Sequence, residues 1–105
     1  MKNLKPSEAK KLLDSESDFR IIDVREMWEY EIVHLPNSEL LPISDFQNGI
    51  TKLNKTDKLL IYCHHGVRSV SVCSYLEQRG FNNVYNLSGG INAWSLEVDD
   101  SLALY

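Results

Sequence analysis

The sequence predicts an α/β fold built on a parallel sheet, and three observations point to it. Apolar bursts alternate with stretches of helical periodicity along the chain. The bursts are almost continuously apolar, as suits strands covered on both faces. With 105 residues and 43% hydrophobic content, the chain has the size and the apolar material for one packed domain, residues 1–105, joined by right-handed crossovers.

Taken in order, the first helix is expected over residues 6–13, where Pro6-Ser7-Glu8 opens the turn and Ala9, Leu12 and Leu13 share a face. Residues 19–24, Phe-Arg-Ile-Ile-Asp-Val, read as a buried strand. Residues 45–53 form a weaker helical stretch, interrupted by Gly49. A second strand is expected at Lys58 to Tyr62. The clearest helix runs from Arg68 to Arg79, with Val72, Cys73 and Leu76 on one side and Gly80 placed to end it in the left-handed conformation. A strand at residues 83–87 and a short helix at residues 90–96 complete the pattern. No repeat, linker or low-complexity stretch interrupts it.

Composition excludes several classes. The formal charge is −4 and no basic stripe occurs, which argues against a nucleic-acid partner. No apolar run approaches membrane-spanning length, and the first residues lack the apolar core of a secretion signal, so the expectation is a soluble cytoplasmic protein with no membrane partner. Ten aromatic residues (three Phe, five Tyr, two Trp) make disorder a poor reading. Cys63 and Cys73 are the only cysteines, and in a reducing compartment they stay thiols. With no CxxC, and with His64 and His65 adjacent, no metal site is expected.

The chemistry concentrates in residues 63–69, Cys-His-His-Gly-Val-Arg-Ser. If Tyr62 ends a strand and Arg68 opens a helix, this is a loop at the carboxyl end of a parallel sheet, where such sheets place their ligands. Loop amides directed inward and the helix start behind them create a positive field, and Gly66 supplies the positive φ that a tight cradle needs. A free thiol is only about 3% ionised at pH 7, and such a field drives it toward thiolate. Cys63 is therefore either a nucleophile or a buried cysteine at a strand end.

The surrounding residues resemble the rhodanese family of sulfurtransferases along nearly the whole chain. Ile22-Asp23-Val24-Arg25-Glu26, Glu29-Tyr30-Glu31 and His34-Leu35-Pro36 resemble its first signature, residues 63–69 its active-site loop, and Leu87-Ser88-Gly89-Gly90-Ile91 with Ala93-Trp94 its last signature. The resemblance implies a rhodanese-like central parallel sheet of about five strands with helices on both faces. It departs from the family at Val33 and at Asn37-Ser38, where Gly and Gly-Ala are usual. Asn tolerates positive φ, so the turn at position 37 is expected to survive; Val33 requires an ordinary backbone.

The resemblance further implies that Cys63 takes a sulfane sulfur from a small donor such as thiosulfate or a persulfide. It then hands the sulfur to a thiol, to cyanide or to a sulfur-carrier protein, without a cofactor. Amides of residues 64–68 would hold the persulfide. His64, His65, Gly66, Val67 and Arg68 are the candidate substrate-binding residues, the histidines drawing a dianion through partial positive charge. Arg68 reads either as an anion clamp or as an ion pair fixing the loop, with Asp23 a candidate partner. Asp23, Arg25, Ser69 and Gly89 are expected to support the site, with Glu29 and His34 holding the turn after the strand and Gly90 admitting close backbone approach. Trp94 reads as core or pocket wall and Cys73 as inert. A loop with no Lys and one Arg points to a persulfide as a better donor than thiosulfate. Two rivals stand beside this reading. One is a cysteine phosphatase or arsenate reductase, disfavoured because only four residues separate Cys63 from Arg68. The other is a non-catalytic sulfur-carrier or interaction module that kept the fold.

Overall fold

Residues 58–62 alternate in what they bury, and that alternation organises the protein. In the computed structural model, which describes residues 1–105, Leu59, Ile61 and Cys63 face one apolar cluster, while Leu60 and Tyr62 face another. A strand buried on both faces must lie in the middle of a covered sheet. The sheet is five-stranded, with order β1-β5-β4-β2-β3 and every pair parallel. Its strands are β1 (Lys2–Leu4), β2 (Phe19–Asp23), β3 (Ser38–Leu40), β4 (Lys58–Tyr62) and β5 (Val84–Leu87).

The helices are α1 (Pro6–Ser15), α2 (Met27–Ile32), α3 (Phe46–Gly49), α4 (Val67–Gln78) and α5 (Gly90–Glu97). Val72, Cys73 and Leu76 of α4 and Phe46 of α3 fill the cluster under Leu59 and Ile61. Ala9 of α1 with Ile91 and Trp94 of α5 fill the opposite one. Helices thus cover both faces, as expected, and no helix is long and apolar enough to cross a membrane.

The three central strands and the long helices lie within a residue or two of their expected positions. The edge strands β1 and β3 are three residues each and carry no alternation of their own; pairing with Tyr85–Leu87 and Ile21–Asp23 makes them strands. Helix α2 was expected only as the turn after β2. Its six residues are held at the start by Glu29, whose carboxylate accepts the Glu26 amide at 3.1 Å. Residues 45–53 break at Gly49 into α3 and a 3₁₀ turn over Ile50–Lys52. Gly80 closes α4 with φ +89°. Val33 is extended, at φ −163°, and Asn37 takes φ +64°, so both departures from the family pattern are accommodated.

Candidate active site

Strands β2, β4 and β5 end side by side, with Asp23 opposite Tyr62 and Ile61 opposite Asn86. Their continuations supply Arg25, Cys63 and Gly89 at one edge of the sheet. The loop from Cys63 to Gly66 is held from behind by the start of α5. Ile91 donates its amide to the carbonyl of Cys63 at 3.0 Å, and Asn92 to that of His64 at 3.1 Å. With those carbonyls turned toward α5, the loop's amides are free to serve the other side. Gly90 makes the approach possible, because a Cβ there would sit 2.5 Å from the Cys63 carbonyl oxygen. Gly66 takes φ +92°, and a Cβ there would meet the Gly89 amide nitrogen at 2.9 Å.

Cys63 is 1% exposed. Its sulfur accepts the amide of Gly66 at 3.1 Å and that of Ser69 at 3.4 Å, and lies 3.3 Å from the Ser69 hydroxyl. Of these two donors to the thiol, one comes from within residues 64–68 and the other from Ser69, in the first turn of α4. The amides of His65, Val67 and Arg68 make no hydrogen bond within the chain. The Ser69 hydroxyl is oriented by Asn86, whose side-chain oxygen accepts from it at 2.5 Å. Asn86 is in turn fixed by donating to the Asn3 side chain at 3.0 Å. Nothing in the sequence singled out Asn86, since its role depends on β5 lying beside β4.

Arg68 does not pair with Asp23. Its guanidinium grips Glu29 end-on, at 2.7 and 2.8 Å. This pair holds the Glu29 carboxyl down at about 2, Arg68 being the main cause and the Tyr105 hydroxyl assisting. Asp23 is taken by Arg25 instead. Both are fully buried and their closest contact is 2.7 Å. The remaining polar atoms of the pair are satisfied by Tyr62, Val33 and Tyr105. A buried ion pair saturated in this way tolerates its desolvation and fixes geometry.

The ring of His64 lies between His65, at 3.9 Å, and Tyr105, at 3.8 Å and 7° from parallel. Burial, and then the neighbouring His65, push its pKa down, so His64 moves away from the positive charge expected of it. His65 is exposed, and Val67 at the loop's outer edge is 75% exposed. His34 stacks on Tyr30 instead of joining the buried pairs. Cys73 is buried in the core on the α4 side of the sheet, and its thiol is pushed up to about 12 by burial. Tyr105 carries no motif signal in the sequence; its place depends on the chain end packing back onto the sheet.

Comparison with known proteins fits this geometry. The family model for the rhodanese-like domain matches residues 5–97, and the chain belongs to that family. It is 39% identical over 77 residues to the thiosulfate sulfurtransferase GlpE of Coxiella burnetii, covering 73% of this chain and 72% of that one. It is 33% identical over 102 residues to a probable adenylyltransferase/sulfurtransferase, MoeZ, of Mycobacterium tuberculosis, covering 95% of this chain and 26% of that one. Of several larger relatives it spans only 26% to 46% of the length. A rhodanese-like domain protein from Staphylococcus aureus superposes with TM-score 0.84 at 32% identity, over 100% of this chain and 99% of that one.

Proposed function

We propose that residues 1–105 act as one catalytic domain that moves a sulfane sulfur through a persulfide on Cys63. The observation that carries this reading is the seat of the Cys63 sulfur, with two amides directed at it and further loop amides left without partners. The Cys63 thiolate attacks the outer sulfur of the donor, and the donor's S–S bond breaks. The leaving sulfite or thiolate departs with the bonding electron pair. The resulting persulfide anion is stabilised by the loop amides, an arrangement that needs no general base and no cofactor. A thiolate or cyanide then takes the outer sulfur and restores Cys63. No net oxidation occurs.

The donor is read as a persulfide in preference to thiosulfate. Arg68 is committed to Glu29, His64 is pushed toward its neutral form, and the loop holds no Lys, so little mobile positive charge faces a dianion. The relationship to MoeZ and to a protein named a putative sulfur carrier in Bacillus subtilis supports a protein acceptor beside small thiols. We place the reaction in the cytoplasm, where Cys63 and Cys73 stay reduced.

Intact-mass spectrometry after a sulfur donor tests the reading. One added sulfur, absent from Cys63→Ser, is the expected result; no added sulfur from thiosulfate or a persulfide, or turnover of an aryl phosphate, overturns it. A micromolar thiosulfate KM, with activity rising through the histidine range of pH, would sink the preference for a persulfide.

A further inference from the structure

Tyr105 lies 42 residues past Cys63 in sequence (105 minus 63), yet its side chain sits inside the network that holds the catalytic loop. Leu102 and Tyr105 pack against the same apolar cluster as Tyr62, Leu87 and Trp94, so the segment 101–105 returns to the carboxyl edge of the sheet. There the Tyr105 hydroxyl accepts from the Arg25 guanidinium at 2.8 Å and donates to Glu29 at 2.6 Å. The direction of these bonds is not free. Arginine can only donate, so the phenol's single hydrogen must go to Glu29. Burial and Glu29 raise the phenol to about 12, which keeps that hydrogen in place across the neutral range.

One hydroxyl therefore joins two ion pairs. Asp23–Arg25 anchors the end of β2, and Glu29–Arg68 ties α2 to the first turn of α4. The same residue also touches the loop directly. Its ring lies flat on His64, the neighbour of the sulfur-bearing residue, and Trp28 meets the same ring edge-on at 6.2 Å. Arg25 sits 5.5 Å from the centres of both the Tyr62 and Tyr105 rings.

We infer that Tyr105 is a positioning residue for sulfur transfer: its hydroxyl sets the Glu29–Arg68 pair at the far end of the loop, and its ring seats His64 at the near end. This rests on the Cys63 sulfurtransferase reading above. A residue that only filled core would have no need of a hydroxyl with two charged partners. A hydroxyl serving stability alone would leave the reactivity of Cys63 unchanged.

The two parts separate in Tyr105→Phe, which keeps the ring, and Tyr105→Ala, which removes both. Each is made in the full chain, and each is measured for kcat and KM with a persulfide donor. The rate of Cys63 alkylation by iodoacetamide is followed across pH in the same variants. A misplacement of about 1 Å can cost about a hundredfold in rate, and the smaller shift expected here about tenfold. Tyr105→Phe is expected to lose about that in kcat with KM little changed, and to alter the rate and profile of Cys63 alkylation as the loop amides lose their alignment. Tyr105→Ala is expected to show the same losses and a raised KM as well. If Tyr105→Phe, folded by circular dichroism, keeps wild-type kcat and the wild-type alkylation profile, the inference is overturned. Should the unaltered protein transfer no sulfur at all, the alkylation profiles still decide the role of Tyr105, so the two failures are told apart.

Discussion

At the scale of single residues, the two cysteines differ in everything except burial. Cys63 is met by two amides, whereas Cys73 lies among Val72, Leu76 and the β4 side chains, its thiol pushed up to about 12 by burial. Native protein treated with iodoacetamide near pH 8 is therefore expected to gain one adduct, lost in Cys63→Ser and unchanged in Cys73→Ser. Intact mass checks this, and an adduct on Cys73 of the folded protein would contradict it. Glu29 offers a second test. Its carboxylate serves the Glu26 amide, Arg68 and Tyr105 together. Glu29→Gln keeps the size and removes the charge. It is expected to cost about 2 kcal/mol, less than a fully buried pair would, because Arg68 remains partly exposed. Thermal denaturation should register this as a Tm lower by about 8–12 °C.

At the scale of elements, the site is a contact between the β4–α4 loop and the first turn of α5. The α5 amides hold the carbonyls of Cys63 and His64, and Gly90, at φ +62°, lets the two backbones meet. In Gly90→Ala the new methyl would lie 2.4 Å from the His64 carbonyl oxygen, and backbone on both sides leaves it no room to yield. The expected result is a loss of at least about 2 kcal/mol, with sulfur loading falling further than stability because the carbonyls that turn the loop are displaced. Urea denaturation and mass spectrometry on the same sample measure both. Full loading in a stable Gly90→Ala protein would show that α5 merely abuts the loop. The requirement for glycine at Gly66 was visible in the loop's composition. The need at Gly90 has a different source, the packing of a separate helix against it.

At the scale of the whole molecule, the ion pairs at the carboxyl edge of the sheet make stability depend on acid. The Glu29 carboxyl is held at about 2 in the folded protein against an ordinary value of 4.5. A carboxyl lowered in this way contributes its full stabilisation above the unfolded value and loses it as pH falls toward the folded one. Unfolding free energy should thus decline between about pH 4.5 and about 2. Glu29→Gln should flatten the slope in that window. Urea titrations from pH 7 downward check the sign, and an unchanged slope in the variant would assign the acid sensitivity to other carboxylates.

Much of this is legible in the sequence, for reasons that differ by feature. The central strands and α4 announce themselves because a sheet buried on both faces needs long apolar runs, and a helix packed on it needs an apolar face at helical spacing. The Cys63 loop is legible because one contiguous stretch carries the cysteine, the glycine and the arginine. The edge strands β1 and β3 are not, since three residues hold no pattern and become strands only through a neighbour. Helix α2 escaped notice for a related reason: its six residues take their order from Glu29, which caps the helix and binds α4 at once.

The sequence alone determined the α/β architecture, the family and the position of the candidate nucleophile, because each is encoded by contiguous stretches of the chain. Only the tertiary structure decided the partners. Arg68 falls to Glu29 and not to Asp23, Ser69 is oriented by Asn86, and Tyr105 reaches across the fold to join two ion pairs. Charge and hydrogen bonding at a sheet edge depend on which strands and helices end side by side, and that adjacency comes from the strand order, not from spacing along the chain.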